Sequence, residues 1–235
     1  MSKRTVLVTG ASRGVGEQCS LKLAESGHHV IAVARTGLSP FSDTSDTNGL
    51  DGKIDYLPAD ITRHQEIETI LEHLHRNDLR LDGLVHNAGL LINKRFEELS
   101  DRDWSDMIEV NLMGPVRLTR VLLDRMNSGS HIVAISSMGG YQQSSKFPGL
   151  SGYSSAKGAM AILTECLAVE LQDRDISVNC LCFGAVETEM FQTAFPGLQA
   201  PVTAERMGRY LSDFVLDGHD LFNGKVLPVA MSDPG

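Results

Sequence analysis

No apolar run in this chain approaches the roughly 20 residues that a membrane-crossing helix needs, so no membrane span is expected. The first apolar run, Val6-Leu7-Val8 behind Lys3 and Arg4, is too short for a secretory leader and reads as a first strand. The expected place of the protein is the cytoplasm. Basic residues are in the minority, with 21 Lys and Arg against 30 Asp and Glu, a formal charge of −9. There is also no basic cluster interleaved with aromatics, which excludes nucleic acid as the expected partner. Only four cysteines occur, and none has zinc-ligand spacing. Cys180 and Cys182 lie two apart on one face of an apparent strand, without a second pair or a His cluster nearby. All four, with Cys19 and Cys166, are expected to be buried free thiols, which suits a reducing compartment. No repeat, low-complexity tract or linker interrupts the 235 residues. That length is within reach of one large α/β domain with a sizeable core.

What the chain does have is alternation. Val6-Leu7-Val8 leads into Thr9-Gly10-Ala11-Ser12-Arg13-Gly14-Val15-Gly16 and then a helical segment to about Ser26-Gly27. In a strand–turn–helix setting, Gly10 permits a tight turn, Gly14 lets a pyrophosphate approach the backbone, and Gly16 allows close helix–strand packing. The N–H groups and positive dipole end of that helix then face the phosphates. His29–Ala34 reads as the second strand, ending in Arg35. There an arginine suits a ribose 2′-phosphate and a carboxylate would suit a free 2′-hydroxyl, so NADP(H) is expected over NAD(H). Arg13 adds a second cation on the same side, unless both arginines are merely solvated.

Thr36 to Gly52 is polar and reads as a long loop. A third strand over Ile54–Ala59 ends at Asp60-Ile61, and Thr62 is positioned to cap a helix with Ile67, Ile70, Leu71 and Leu74 on one face. Leu84-Val85 lies in a fourth strand, followed by His86-Asn87-Ala88-Gly89, small residues that let backbone approach a ligand. One amphipathic helix is expected from Ser100, as cap, to about Met126, with Trp104, Met107 and Ile108 as its early apolar face. Within it, Pro115 has no N–H for the carbonyl of Asn111, leaving either a free acceptor or a simple kink. His131–Ile135, Ile176–Cys182 and Gly224–Val229 read as strands, and Thr203 to about Leu216 as a helix. The whole predicts a single Rossmann-type doubly wound parallel sheet of about seven strands, with helices on both faces, across residues 1–235.

Tyr153-Ser154-Ser155-Ala156-Lys157 carries the chemistry. Four residues are about one helical turn, so Tyr153 and Lys157 project from one side, while Ala156, Met160, Leu163 and Leu167 share a buried face. An ammonium beside a phenol stabilises its anion and is expected to lower its pKa. A tyrosine so tuned can exchange a proton with a substrate oxygen. Taken alone, the pair could also be two surface residues four apart.

Together these residues resemble the short-chain dehydrogenase/reductase family over nearly the whole chain. The carriers are the TGxxxGxG spacing from Thr9 to Gly16, Asp60 after the third strand, Asn87-Ala88-Gly89 after the fourth, then Asn111, Ser137, Tyr153 and Lys157 in order. The resemblance implies hydride transfer between a nicotinamide and a carbonyl or alcohol carbon. Tyr153 would be the acid/base, and Ser137 (less readily Ser136) would hold the substrate oxygen. Lys157 would support Tyr153 and the nicotinamide ribose, and Asn111 would anchor a water through its carbonyl. Gly10, Ser12, Arg13, Gly14, Val15, Gly16 and Arg35 would surround the phosphates and the adenosine ribose. Asp60 and Ile61 would meet the adenine, Asn87, Ala88 and Gly89 the ribose region, and Gly184, Val186 and Thr188 the nicotinamide end. Met138, Phe147, Phe183, Met190 and Phe191 would line an apolar substrate pocket.

Phe183 stands where the family has proline, His86 replaces a more usual Asn, and the segment after Thr188 is short, which suggests an open or modest pocket. Relatives form tetramers or dimers, so a homo-oligomer is implied. The substrate implied is a small carbonyl compound or an acyl thioester such as a 3-oxoacyl thioester. The competing reading is a non-catalytic NADP(H)-binding regulator or scaffold, which would tend to lose Tyr153 or Lys157. An extended-branch epimerase would need a larger C-terminal domain.

Overall fold

The computed structural model describes residues 3–35 and 50–231. Most of the loop expected over Thr36 to Gly52 therefore lies outside the described residues. Strand β1 (Thr5–Thr9) alternates its side chains across two buried faces: Val6 and Val8 point to one layer and Leu7 to the other, all 1% exposed or less. Helix α1 (Gly14–Glu25) follows, then β2 (His29–Ala34), β3 (Lys53–Pro58), α2 (His64–Arg76) and β4 (Leu81–His86). All six residues of β2 are buried, and after His29 they form the continuous apolar run of a strand covered on both sides. Helix α3 (Asp101–Ile108) leads through a π-helical turn (Glu109–Met113) into α4 (Gly114–Leu122). Next come β5 (Met126–Ser137), α5 (Ser151–Glu170), β6 (Ile176–Phe183), β7 (Val186–Glu187), α6 (Glu189–Ala194), β8 (Val202–Thr203), α7 (Ala204–Asp217) and β9 (Val226–Val229).

Seven strands form one parallel sheet in the order β3-β2-β1-β4-β5-β6-β9. This is the doubly wound arrangement. One face is packed by α1 and α7 through Cys19, Leu23, Leu211 and Val215, the other by α2 and α4 through Ile67, Ile70, Leu118 and Leu122. Fully burying such a side chain contributes about 1.5–3 kcal/mol. A small parallel ribbon of β7 with β8 lies outside the sheet and had no counterpart in the expected strands. Two-residue strands carry no period to detect.

Local departures have physical causes. Ser100 caps α3 as expected, accepting from the Asp103 amide, while Asp103 returns a carboxylate to Ser100. Met107 is buried and Trp104 and Ile108 are half-buried. The single long helix is not continuous: the Gly114 amide bonds to the Glu109 carbonyl, five residues back. Pro115 lacks an N–H and its ring crowds the Asn111 carbonyl, and the helix widens by one residue in place of a simple kink. Thr62 does not cap α2. Arg63 holds that position without a side-chain cap bond, and the Thr62 hydroxyl instead donates to Asp60 Oδ1 at 2.7 Å. Leu71 on α2, and Leu163 and Leu167 on α5, are half-buried at the edges of their clusters. Cys166 faces outward from α5, so only Cys19, Cys180 and Cys182 are buried thiols. A lone cysteine on a helix reports its face only through its neighbours' contacts.

Candidate active site

The site lies where the carboxyl ends of the strands meet loops. Successive strands are added in one direction from β1 to β3 and in the other from β4 onward, and the crevice outside that switch between β1 and β4 is where open α/β sheets bind ligands. Gly10 and Gly14, with φ of +66° and +61°, shape the turn after β1. A Cβ on Gly10 would come within 2.8 Å of the Ala88 backbone, and one on Gly16 would collide with Asn87 Nδ2 and the Gly10 carbonyl. That space belongs to Asn87, whose side-chain amide donates to the carbonyls of Thr9 at 3.0 Å and Gly10 at 3.2 Å. The Thr9 hydroxyl accepts from the Asn87 and Ala88 amides, both at 3.1 Å, and ties the ends of β1 and β4 together.

A cleft of about 1650 Å³ runs over these strand ends. It exceeds the roughly 300–1,000 Å³ of a single small-molecule site, room for two ligands side by side. At one end lie Ser12, Arg13, Gly14, Val15 and Arg35, then Asp60 and Ile61; Asn87, Ala88 and Gly89 line the floor. Arg13 ion-pairs with Glu189 at the start of α6, across the cleft mouth. Both side chains are about two-thirds exposed, so the pair is weak.

At the other end, Ser137 terminates β5 and Tyr153 and Lys157 project from the first turns of α5. The helix can press close because Gly140 has no side chain: a Cβ there would meet Lys157 and Gly158 backbone at 2.7 Å. Lys157 Nζ donates to the Ile135 carbonyl at 2.7 Å and lies 5.8 Å from the Tyr153 ring centroid. Tyr153 hydrogen-bonds Ser137. Ser136 is turned away, its hydroxyl donating to the Lys157 carbonyl at 2.9 Å. That leaves Ser137 as the serine facing the cleft beside the phenol.

The electrostatics differ from the sequence expectation. Burial pushes the Tyr153 phenol up to about 12, with the Ser137 hydrogen bond opposing it, rather than the lysine pulling it down. The same burial brings Lys157 down to about 8. Desolvation penalises whichever form is charged, and both groups are enclosed.

The family model for the short chain dehydrogenases matches residues 4–199. The chain belongs to that family. The 3-oxoacyl-[acyl-carrier-protein] reductase FabG of Escherichia coli (strain K12) is 32% identical over 213 residues, covering 87% of this chain and 84% of that protein. A 3beta-hydroxysteroid dehydrogenase of Mediterraneibacter gnavus is 28% identical over 190 residues, covering 80% and 68%. Among solved structures, ElxO with NADP bound superposes with a TM-score of 0.85 at 26% identity, over 97% of this chain and 98% of that one. This short chain dehydrogenase is accordingly an oxidoreductase.

Of the residues singled out in the sequence, two stand behind the cleft wall and the others line it. Gly16 lies beneath Asn87. Asn111, 1% exposed, uses its side chain structurally: Oδ1 accepts from the Leu90 amide at 3.1 Å and Nδ2 donates to the Leu90 and Met107 carbonyls, each at 2.8 Å. Gly184, Val186 and Thr188 follow β6 at the cleft, and Met138, Phe147, Phe183, Met190 and Phe191 are part of its lining. Leu91, Leu150, Phe195 and Leu198 also line it and were not singled out. Nothing in their local sequence distinguishes them from ordinary core residues. Among the described residues no group of three or more His, Cys, Asp or Glu is arranged to hold a metal ion, and no helix is long and apolar enough to cross a membrane.

Proposed function

We propose that this short chain dehydrogenase is an NADP(H)-dependent carbonyl reductase, or alcohol dehydrogenase in reverse, with Tyr153 as acid/base. The observation that carries the reading is the constellation of Ser137, Tyr153 and Lys157 at one end of a cleft whose other end holds the glycine turn and Arg35. The cradle fits a dinucleotide: Gly10 and Gly14 take left-handed conformations, and a Cβ on Gly14 would press on Thr188 across the cleft. Arg35, at the end of β2, would meet a 2′-phosphate. Bound NADP(H) supplies the hydride.

The protein's own task is one proton. Ser137 holds the carbonyl oxygen, and Tyr153 donates to that oxygen as it gains charge. A phenol raised to about 12 stays protonated at neutral pH, the form a reductase needs. Lys157, held by the Ile135 carbonyl, places a cation near the tyrosinate that donation leaves. Asn111 holds the 90-loop in place, and the π turn beside Pro115 leaves its carbonyl without the usual helical donor, which supports a water relay there.

The names of the relatives support two substrate versions, a 3-oxoacyl thioester and a hydroxysteroid, which share a carbon that passes between ketone and secondary alcohol. The test is consumption of NADPH, against NADH, over a carbonyl panel with Tyr153→Phe as control. Turnover lost in the variant supports the reading. Tight NADPH binding without turnover of any carbonyl would overturn it and favour a cofactor-binding regulator.

A further inference from the structure

We propose that the site selects an uncharged, mainly hydrocarbon ketone or the matching secondary alcohol, and offers no foothold for the anionic carrier of an acyl thioester. The proposal rests on the reductase reading above and narrows it. Among the described residues, three cations line the cleft: Arg13, Arg35 and Lys157. Arg13 and Arg35 belong to the end under the glycine turn, and Lys157 is held beneath Tyr153 by the Ile135 carbonyl. Around Ser137 and Tyr153 the wall is Leu91, Phe147, Leu150, Met190, Phe191 and Phe195. The Phe191 and Phe195 rings pack 5.3 Å apart. An anion seated against this wall, away from Lys157, would lose its water without gaining a counter-charge from it, a cost that disfavours it.

The loops around that wall do carry cations, and among the described residues each has a partner. Lys94 Nζ grips both oxygens of Asp103, at 2.9 and 3.1 Å. Arg95 Nε pairs with Glu97 at 3.1 Å, weakly, since both side chains are about two-thirds exposed or more. Lys146 Nζ donates to the Tyr141 carbonyl and, at 3.1 Å, to the Ser144 hydroxyl. A carrier bearing phosphates, or an acidic carrier protein, would also approach a chain of formal charge −9. Repulsion of that kind lowers the encounter rate and discriminates against the wrong partner.

The wall is also preformed. Asn93 Nδ2 donates to the Ala194 carbonyl at 2.8 Å, and the Lys94 amide donates to the Gly149 carbonyl at 3.1 Å. Gly149 has φ +84°, and a Cβ there would collide with Asn93 Oδ1. The 90-loop thereby clips the end of α6 to the loop before α5, and Asn93 is the positioning residue that sets the width of the pocket.

The test compares kcat/KM, with NADPH, for a neutral bicyclic ketone (a decalone), the neutral acetoacetyl-N-acetylcysteamine, acetoacetyl-CoA and an acetoacetyl carrier protein. The expected result is about tenfold or greater preference for the decalone over acetoacetyl-CoA, with the neutral thioester also ahead of the CoA and carrier forms. A preference for the CoA or carrier-protein thioester over both neutral compounds overturns the proposal while leaving the reductase reading intact. Inertness of every carbonyl while NADPH binds overturns both. For the clip, Asn93→Ala and Asn93→Asp both remove the donor to Ala194. Each should raise KM for the decalone about tenfold with kcat nearly unchanged, and an unmoved KM would remove Asn93 from this role.

Discussion

Lys157 Nζ sits 5.8 Å from the centre of the Tyr153 ring while donating at 2.7 Å to the Ile135 carbonyl, so the ammonium is fixed to β5 before any substrate arrives. The lysine cannot swing away from the phenol without breaking that bond. In the proposed reaction its positive charge is therefore pre-placed for the tyrosinate that would form when the proton leaves.

From this arrangement, Tyr153→Phe should remove the transferable proton and lower kcat by about 10²–10⁴-fold. NADPH affinity, measured by quenching or enhancement of its fluorescence, should change little, because the ring and its packing stay. A variant that still turns over at near the parental rate would take Tyr153 out of the acid/base role.

Arg35→Asp should reverse cofactor choice. Arg35 is exposed at the end of β2 and lines the cleft, positioned to meet a 2′-phosphate with charge-assisted bonds worth about 1.5–3 kcal/mol. Binding of NADPH should weaken by about ten- to a hundredfold, with NADH affected far less. Equal losses for the two cofactors would sink the assignment.

Gly16→Ala tests the joint between β1 and β4. The new methyl would occupy the place of Asn87 Nδ2 and push it off the carbonyls of Thr9 and Gly10. Overpacking of this kind costs about 1–3 kcal/mol, so the midpoint of thermal unfolding should fall and NADPH binding weaken with it. A stable variant with unaltered NADPH affinity would mean that Asn87 can reseat without consequence.

Two buried histidines should make the fold acid-sensitive. Burial, aided by the Lys157 charge, holds His86 down to about 3, and burial together with His219 does the same for His131. Both are neutral in the fold and charge at about 6.5 once unfolded. The unfolded state thus binds more protons below that value, and stability present above about pH 6.5 is lost as pH falls towards 3. Each contributes about 1.4 kcal/mol per pH unit in that window. Urea midpoints measured from pH 7.5 to 4.5 should show the slope, and His86→Asn should flatten part of it. An unchanged slope would mean that carboxylates, not these histidines, set the acid limit.

The order of the seven sheet strands and the longer helices, the doubly wound class and the candidate site residues were legible in the sequence, because period-two and period-3.6 patterns and glycine turns are local facts of the chain. The sequence also placed Ser137, Tyr153 and Lys157 in one site, through a spacing that resembles a known family. What it could not supply was any term that depends on enclosure. Whether Tyr153 is raised or lowered turns on how much water its neighbours exclude, and burial outweighed the Ser137 hydrogen bond. The π turn followed from a proline visible in the sequence, but its form depended on how the helix relieved the clash at Asn111. Asn93 drew no notice because its partners at Gly149 and Ala194 lie far along the chain. The engagement of Lys94 by Asp103 and the outward face of Cys166 were likewise decided by tertiary packing, since a side chain's solvent and partners exist only once the chain has closed around it.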